Sequence, residues 1–325
     1  MSAKEIWIVA ETRKGQITRL TSELIGLART LADENNLAAR ALLLGGEQDE
    51  VDALARSIEH VFWVSNPNLA EYDPQRYVMA IHQLTEQRGR PRAVLASATG
   101  RGLEFMPRLA ARLGVGYQSS CAEVGFGAEG VEVRRSLYGG KVVERSVIES
   151  LPALLTVRPG AYRVSTELGE PGEIETVTVD IGQSIGMRVV EQNEDPAPRG
   201  DLLEASRVVA GGRGMGEAKN FQLLEELADT IGAAVGASRS VVDAGWRPHD
   251  DQVGKSGKTI SPELYIACGI SGAIHHVLGM NSAKTVVAIN TDPDALIFQN
   301  ADLGIVGDAT EVLPALTQAI REAKS

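Results

Sequence analysis

Four short turns bearing glycine and serine carry the residues best suited to chemistry. They are Gly211-Gly212-Arg213-Gly214, Gly236-Ala237-Ser238-Arg239, Val253-Gly254-Lys255-Ser256-Gly257 and Gly269-Ile270-Ser271-Gly272. Glycine lets backbone N–H groups approach an anion with no Cβ in the way. Arg213 and Arg239 add fixed positive charge. A helix starting near Ser271 would turn its free N–H groups and positive dipole end toward a phosphate. Glycines after strands also read as plain turn punctuation. Four such turns in one stretch, two of them with arginine, favour a ligand bearing a pyrophosphate. His275 and His276 follow the last turn. Adjacent residues on a helix point about 100° apart, so one of the two can face a ligand while the other packs or meets solvent, and they do not chelate one metal.

Other chemistries lack their residues. GxxxxGK[ST] is absent and Gly211–Gly216 (GGRGMG) is not GxGxxG, which weakens a P-loop ATPase and an ordinary dinucleotide-fold dehydrogenase. Ser238 and Ser256 each neighbour a cation but no base, so no nucleophile pair stands out. The aspartates give no metal-ligand spacing. Asp308, after an apolar strand, is placed to accept from a ribose or adenine group. The absence of acid/base pairs points to a bound cofactor as the chemical agent.

The turns need strands and helices to hold them. Glu5–Ala10, Ala41–Leu44, His60–Ser65 and Ala93–Ser97 read as strands. They alternate with helical stretches Thr21–Glu34, Glu47–Glu59, Asp73–Arg88, where Asp73 caps and Pro74 opens the helix, and Gly102–Leu113. That rhythm implies a parallel sheet with right-handed crossovers. Val131–Tyr138 and Lys141–Glu149 read as a hairpin joined at Gly139-Gly140. Ala153–Val157 and Glu175–Asp180 are further strands. Polar Glu191–Gly200, with two prolines, is the best linker. The alternation restarts with strand Arg207–Ala210 and helix Ala218–Ile231. Strands Leu264–Ala267, Thr285–Asn290 and Gly304–Val306 follow, and then helix Thr310–Lys324 with Thr310 as cap. The expected fold is α/β in two domains, each built on a mostly parallel sheet with flanking helices. The domains are 1–190 and 206–325, joined by a linker over 191–205, and the second is doubly wound.

Bulk composition agrees. A chain of 325 residues suits two domains of ~150 residues. Its 32 Lys and Arg against 43 Asp and Glu give a net charge of −11, which argues against nucleic acid or an anionic membrane surface as partner. No run approaches ~20 apolar residues, so no direct membrane insertion is expected. Cys121 and Cys268 form no paired motif. The early first strand leaves no room for a targeting segment, and the expected location is cytoplasmic.

At the four turns the sequence resembles a known family. Val235–Trp246 (VGASRSVVDAGW), Gln252-Val253-Gly254, Leu264–His276 (LYIACGISGAIHH) and Val287–Pro293 (VAINTDP) resemble the alpha subunit of electron-transfer flavoprotein. GGRG opens this stretch and Ala301–Asp308 (ADLGIVGD) nearly closes it. The match is dense over 207–320 and looser over 1–190.

The resemblance implies an FAD-binding subunit that pairs with a beta subunit carrying AMP, or a second FAD in bifurcating members. It implies that Arg213 and Ser238 lie along the FAD pyrophosphate and its flanks, and Arg239 against the isoalloxazine. Val253, Gly254, Lys255 and Ser256 would line the ring and ribityl chain, with Ser256 donating toward flavin N5. Ser271, Gly272, Ala273, Ile274, His275 and His276 would cover the pyrophosphate and ribityl, with His276 reaching the pyrimidine edge. Asn290 and Asp308 would hold the adenosine end. One-electron reduction puts negative charge on the N1–C2=O edge, which Arg239 and a donating His276 would stabilise. The sequence departs from the family at Lys255-Ser256, where Gln-Thr or Gln-Ser is common, and at His275-His276, where Gln-His is common. The implied role is an electron carrier rather than a stand-alone enzyme. It would take electrons from flavin dehydrogenases of the acyl-CoA type, as in fatty acid oxidation, and pass them to a quinone oxidoreductase or similar acceptor. The alternatives are an electron-bifurcating subunit using NADH and two FADs, a stand-alone nucleotide-dependent dehydrogenase, and a nucleotide-sensing module.

Overall fold

The computed structural model describes residues 4–13, 15–165, 168–182, 190–191 and 201–324. The chain divides into two compact units, 1–192 and 193–325. Most of the expected linker, residues 192–200, lies outside the described residues.

The first unit opens with β1 (Glu5–Val9), the ribbon of β2 (Thr12–Arg13) and β3 (Gln16–Ile17), and α1 (Arg19–Asn35). Next come β4 (Ala38–Leu44), α2 (Gln48–Ala55), β5 (His60–Val64), α3 (Pro74–Arg88), β6 (Ala93–Ser97) and α4 (Gly100–Leu113). β7 (Tyr117–Cys121), β8 (Glu123–Phe126), β9 (Val131–Leu137), β10 (Val142–Ile148), β11 (Ala153–Val157) and β12 (Glu173–Thr176) complete it. A seven-stranded sheet runs β12-β5-β4-β1-β6-β11-β7, every neighbouring pair parallel. β8, β9 and β10 form a separate antiparallel sheet. Local rules set several boundaries. Asp73 accepts from the amides of Gln75 and Arg76 at 2.8 and 3.2 Å, with Pro74 opening α3. α1 starts before the expected Thr21 because Thr18 is the residue that caps it, accepting from the Thr21 amide. β7 and β8 carry too little apolar alternation to be read from sequence.

The second unit contains β13 (Arg207–Gly211), α5 (Phe221–Ile231), β14 (Ala234–Ala237), α6 (Arg239–Asp243), β15 (Leu264–Cys268), α7 (Ile274–Met280), β16 (Thr285–Asn290), β17 (Leu303–Val306) and α8 (Ala309–Lys324). Its parallel sheet runs β14-β13-β15-β16-β17. The chain leaves β13 toward β14 on one side and returns to β15 on the other, so the order reverses between β13 and β15. Successive side chains alternate between faces. Val209, Val235, Ile266 and Ile289 meet Leu224, Leu227 and Leu313 of α5 and α8. Val208, Ala210, Tyr265, Ala267 and Ala288 meet Met280 of α7 together with Val253, Ile260 and Ile297. The central strands of the sheet are therefore covered on both faces, which is why they are almost wholly apolar.

Three expectations change here. Residues 218–220 form a 3-10 turn, so α5 begins at Phe221 rather than Ala218. Asp308, not Thr310, caps the last helix: its Oδ1 accepts from the amide and hydroxyl of Thr310 at 2.8 and 2.7 Å. β14 was not expected, because Ala-Val-Gly-Ala is short and poor in β-branched residues, yet all four of its residues are buried.

Leu224 is fully buried beneath β13. Leu224→Ala should cost about 2–5 kcal/mol, read as a lower urea midpoint with little change in slope.

Candidate functional site

The carboxyl ends of β13, β14, β15 and β16 open onto one cleft of about 880 Å³. Ligand clefts run from roughly 300 to 1,000 Å³ and in open α/β sheets lie at this edge, at the reversal of strand order. The turns after β13 and β15 touch backbone to backbone at that reversal. The Gly212 amide donates to the Cys268 carbonyl at 2.8 Å and the Gly214 amide to the Gly269 carbonyl at 2.9 Å. Gly269 sits at φ +61°, and a Cβ there would lie 2.7 Å from the Gly214 carbonyl carbon. These glycines thus serve contact between the turns, and the amides of Gly212 and Gly214 are already spent. Donors for an anion come instead from Arg213, which forms no ion pair among the described residues, and from the turn before α7. There the amides of Ser271, Ile274 and His275 donate to no acceptor among the described residues.

The second wall is the loop 252–257. Its Val253 amide donates to the Ala237 carbonyl of β14 at 2.9 Å. On the other side the Lys255 amide donates to the His275 carbonyl at 2.7 Å. Gly254, at φ +144°, lies so close to α7 that a Cβ would stand 2.9 Å from the His275 carbonyl oxygen. Gln252, buried, donates through Nε2 to Ser256 Oγ at 3.0 Å. With a lone pair of that oxygen engaged, the Ser256 hydroxyl hydrogen is free to point into the cleft. The loop is anchored by Arg247, which donates at 2.7 Å both to Glu225 of α5 and to Asp251, and lies over the Phe221 ring. Burial pushes the Asp251 carboxyl up, and Arg247 offsets only part of that.

Arg213, Ser238, Arg239, Val253, Gly254, Ser256, Ser271, Ala273, His275, His276 and Asn290 all line the cleft. Lys255, Gly272, Ile274 and Asp308 do not. Lys255 lies in that loop with its residue exposed. Gly272, at φ +85°, is packed against the backbone of Ile297. Ile274 is 60% exposed. Asp308 has its Oδ1 committed to Thr310, and that bonding holds its carboxyl below the usual range. Ser238 Oγ pairs with Ser240 Oγ at 3.1 Å. Arg239 Nε reaches Asp243 at 3.3 Å, both side chains about two-thirds exposed. Asn290 Nδ2 donates to the Ile270 carbonyl at 2.9 Å, so its amide locks β16 to the turn after β15.

Gln252, Asp243, Asp292, Asp294 and Leu296 line the same cleft without having been expected as site residues. Gln252 belongs to the Gln252-Val253-Gly254 run that carries the resemblance, where only Val253 and Gly254 were given a role. Tyr265 likewise carries no expected role beyond its strand. Tyr265 is fully buried, and its hydroxyl lies 2.7 Å from His276 Nε2. Burial pushes His276 from 6.5 down to about 4, opposed by the backbone of Val253, so the ring is neutral at pH 7. The donating histidine expected at the cleft is therefore an uncharged one. No group of residues able to hold a metal ion occurs among the described residues, and no described helix is long and apolar enough to cross a membrane.

A parallel α/β sheet whose switch point carries amide and arginine donors around a cleft defines a nucleotide-cofactor protein. Two family models divide the chain: the electron transfer flavoprotein domain matches residues 6–181 and the electron transfer flavoprotein FAD-binding domain matches 201–281. An electron transfer flavoprotein subunit alpha from Thermoanaerobacterium thermosaccharolyticum is 38% identical, with 99% of each chain covered. One from Bacillus subtilis is 36% identical, covering 98% of each. Protein FixB of Clostridium saccharobutylicum is 37% identical, covering 98% of this chain and 97% of that one. The chain belongs to the electron transfer flavoprotein alpha-subunit family; its cofactor is FAD and its role is electron transfer.

The residues present fit that cofactor. The cleft is long enough to span four strand ends, its mouth holds Arg213 and Arg239, and its wall holds a buried His276 Nδ1 with no hydrogen-bond partner among the described residues.

His276 also shapes stability. Its folded value lies below its unfolded value, so its contribution is complete above pH ~6.5, is lost as pH falls toward 4, and is constant below that. The full loss is on the order of 3 kcal/mol. Urea midpoints at pH 7 and pH 5 should differ clearly in the wild type and much less in His276→Gln.

Proposed function

We propose that the chain is the FAD-carrying subunit of a heterodimer, paired with a beta subunit that holds AMP. It takes electrons from flavin dehydrogenases of the acyl-CoA type, the step that drains fatty acid oxidation, and hands them to a quinone oxidoreductase or similar acceptor. The cytoplasm, expected from the sequence, remains the place of action in this proposal. The observation that carries it is the single cleft gathering both arginines, the 252–257 loop and the α7 turn. In this reading Arg213, Ser238 and the turn Ser271-Gly272-Ala273 bind the diphosphate. Val253, Gly254, Ser256 and Arg239 bound the ring, and Asn290 lies toward the adenosine end. Lys255, Ile274 and Asp308 are assigned supporting places at its rim. FAD supplies the uptake and release of electrons; the chain binds it, orients it and sets the charge around it. In this reading the cofactor does the chemistry, so the chain supplies no proton-abstracting residue.

The heterodimer, purified and reduced stepwise, tests this. It should be yellow, carry one FAD, and take up electrons singly. A colourless complex that binds NAD tightly would sink the carrier reading. Two flavins per heterodimer, one of them reducible by NADH, would replace it with bifurcation. Arg239→Ala should lower the potential of the first one-electron step, since it removes a cation from the cleft; an unchanged potential removes Arg239 from the proposed role.

A further inference from the structure

The cleft wall contains a polar pair that neither the family models nor the proposed function employs. Tyr265 stands near the start of β15 on the face that packs against α7, wholly buried among Val208, Ala210 and Met280. A phenol in that apolar layer is an anomaly unless its hydroxyl has work. Its hydroxyl lies 2.7 Å from Nε2 of His276, and the two rings are tilted with centroids 6.2 Å apart. Among the described residues that hydroxyl makes no other hydrogen bond. His276 itself is 7% exposed and lines the cleft.

The direction of this hydrogen bond follows from accounting for donors. A neutral imidazole has one N–H and one lone pair. If Nε2 carried the proton, the tyrosine oxygen would accept it, and the buried O–H would be left with no acceptor, at a full desolvation penalty. If Nε2 carries the lone pair, the O–H is satisfied and the proton sits on Nδ1. Burial holds the phenol well above its ordinary value, so it keeps its proton to donate. The buried Nδ1 then carries the proton, with no well-formed hydrogen bond among the described residues beyond the influence of the Val253 backbone. The Val253 backbone nearby favours a protonated ring nitrogen, the sense expected beside a carbonyl.

We propose that Tyr265 is a positioning residue for the cofactor cleft: its hydroxyl donates to Nε2 of His276, holds the ring as the neutral Nδ1–H tautomer and fixes its plane in the wall. The proposal rests on the reading of this cleft as the FAD site only for its consequence, not for the tautomer. The consequence is that His276 acts on bound FAD as an oriented neutral dipole rather than as a cation. The strand that builds the core thereby controls a polar group of the site, through a hydroxyl that never touches the cofactor. Phenylalanine at 265 would keep the packing and delete that control, freeing the ring to adopt either tautomer.

The test is nitrogen NMR of the heterodimer with ¹⁵N-labelled histidine, His276 being assigned by its loss in His276→Gln. In the wild type Nε2 should resonate as an unprotonated, hydrogen-bonded nitrogen and Nδ1 as a protonated one. In Tyr265→Phe the ratio of Nδ1–H to Nε2–H should fall about tenfold or more. The flavin midpoint potential should move while FAD stoichiometry stays the same. A protonated Nε2 in the wild type overturns the proposal, as does a folded Tyr265→Phe with an unchanged tautomer ratio. Should that variant fail to fold, the wild-type spectrum alone decides. Lack of flavin absorbance in the wild type would strike the reading of the cleft while leaving the tautomer result to stand or fall separately.

Discussion

The contact on which the second unit depends is the backbone-to-backbone approach of two turns at the reversal of its sheet. Gly212 and Gly214 after β13 donate to Cys268 and Gly269 after β15. Any side chain in that contact would wedge the strand ends apart, because the atoms opposing it are rigid backbone. The closeness has a cost in chemistry, since two amides that looked available to an anion are consumed. The site compensates with groups flanking the contact. Arg213 projects from one turn, and the free amides of the Ser271–His275 segment lie on the other.

A second backbone contact completes the cleft. The loop 252–257 has no regular structure of its own, so it depends on neighbours on both sides. β14 holds it through the Ala237 carbonyl and α7 through the His275 carbonyl, while Arg247 clamps its base to α5. The loop is thus positioned by three elements distant in sequence. That rigidity matters for a protein that moves electrons, because a preoriented polar wall does not have to reorganise when charge arrives. The cleft is also electrostatically mixed. Arg213 and Arg239 stand with Asp243, Asp292 and Asp294 in its lining, in a chain of net charge −11. Arginines in the lining put positive charge at the cleft within a chain that is acidic overall.

The sequence by itself determined the alternation of strands and helices, the position of the four turns and most of the cleft residues. Those signals are local: apolar periodicity, the Asp73-Pro74 helix start, glycines after strands, and a family pattern carried by contiguous runs. It did not determine β14, whose four small residues become a strand only between β13 and the 252–254 segment. Nor did it determine that Asp308 spends its carboxylate on Thr310, since capping and ligand binding ask for the same residue type. Only the tertiary structure decided that Gly269 serves a neighbouring turn, that Lys255 stays outside the cleft, and that Tyr265 meets His276. Each depends on which segment packs opposite, and a distance across the fold leaves no periodic mark along the chain.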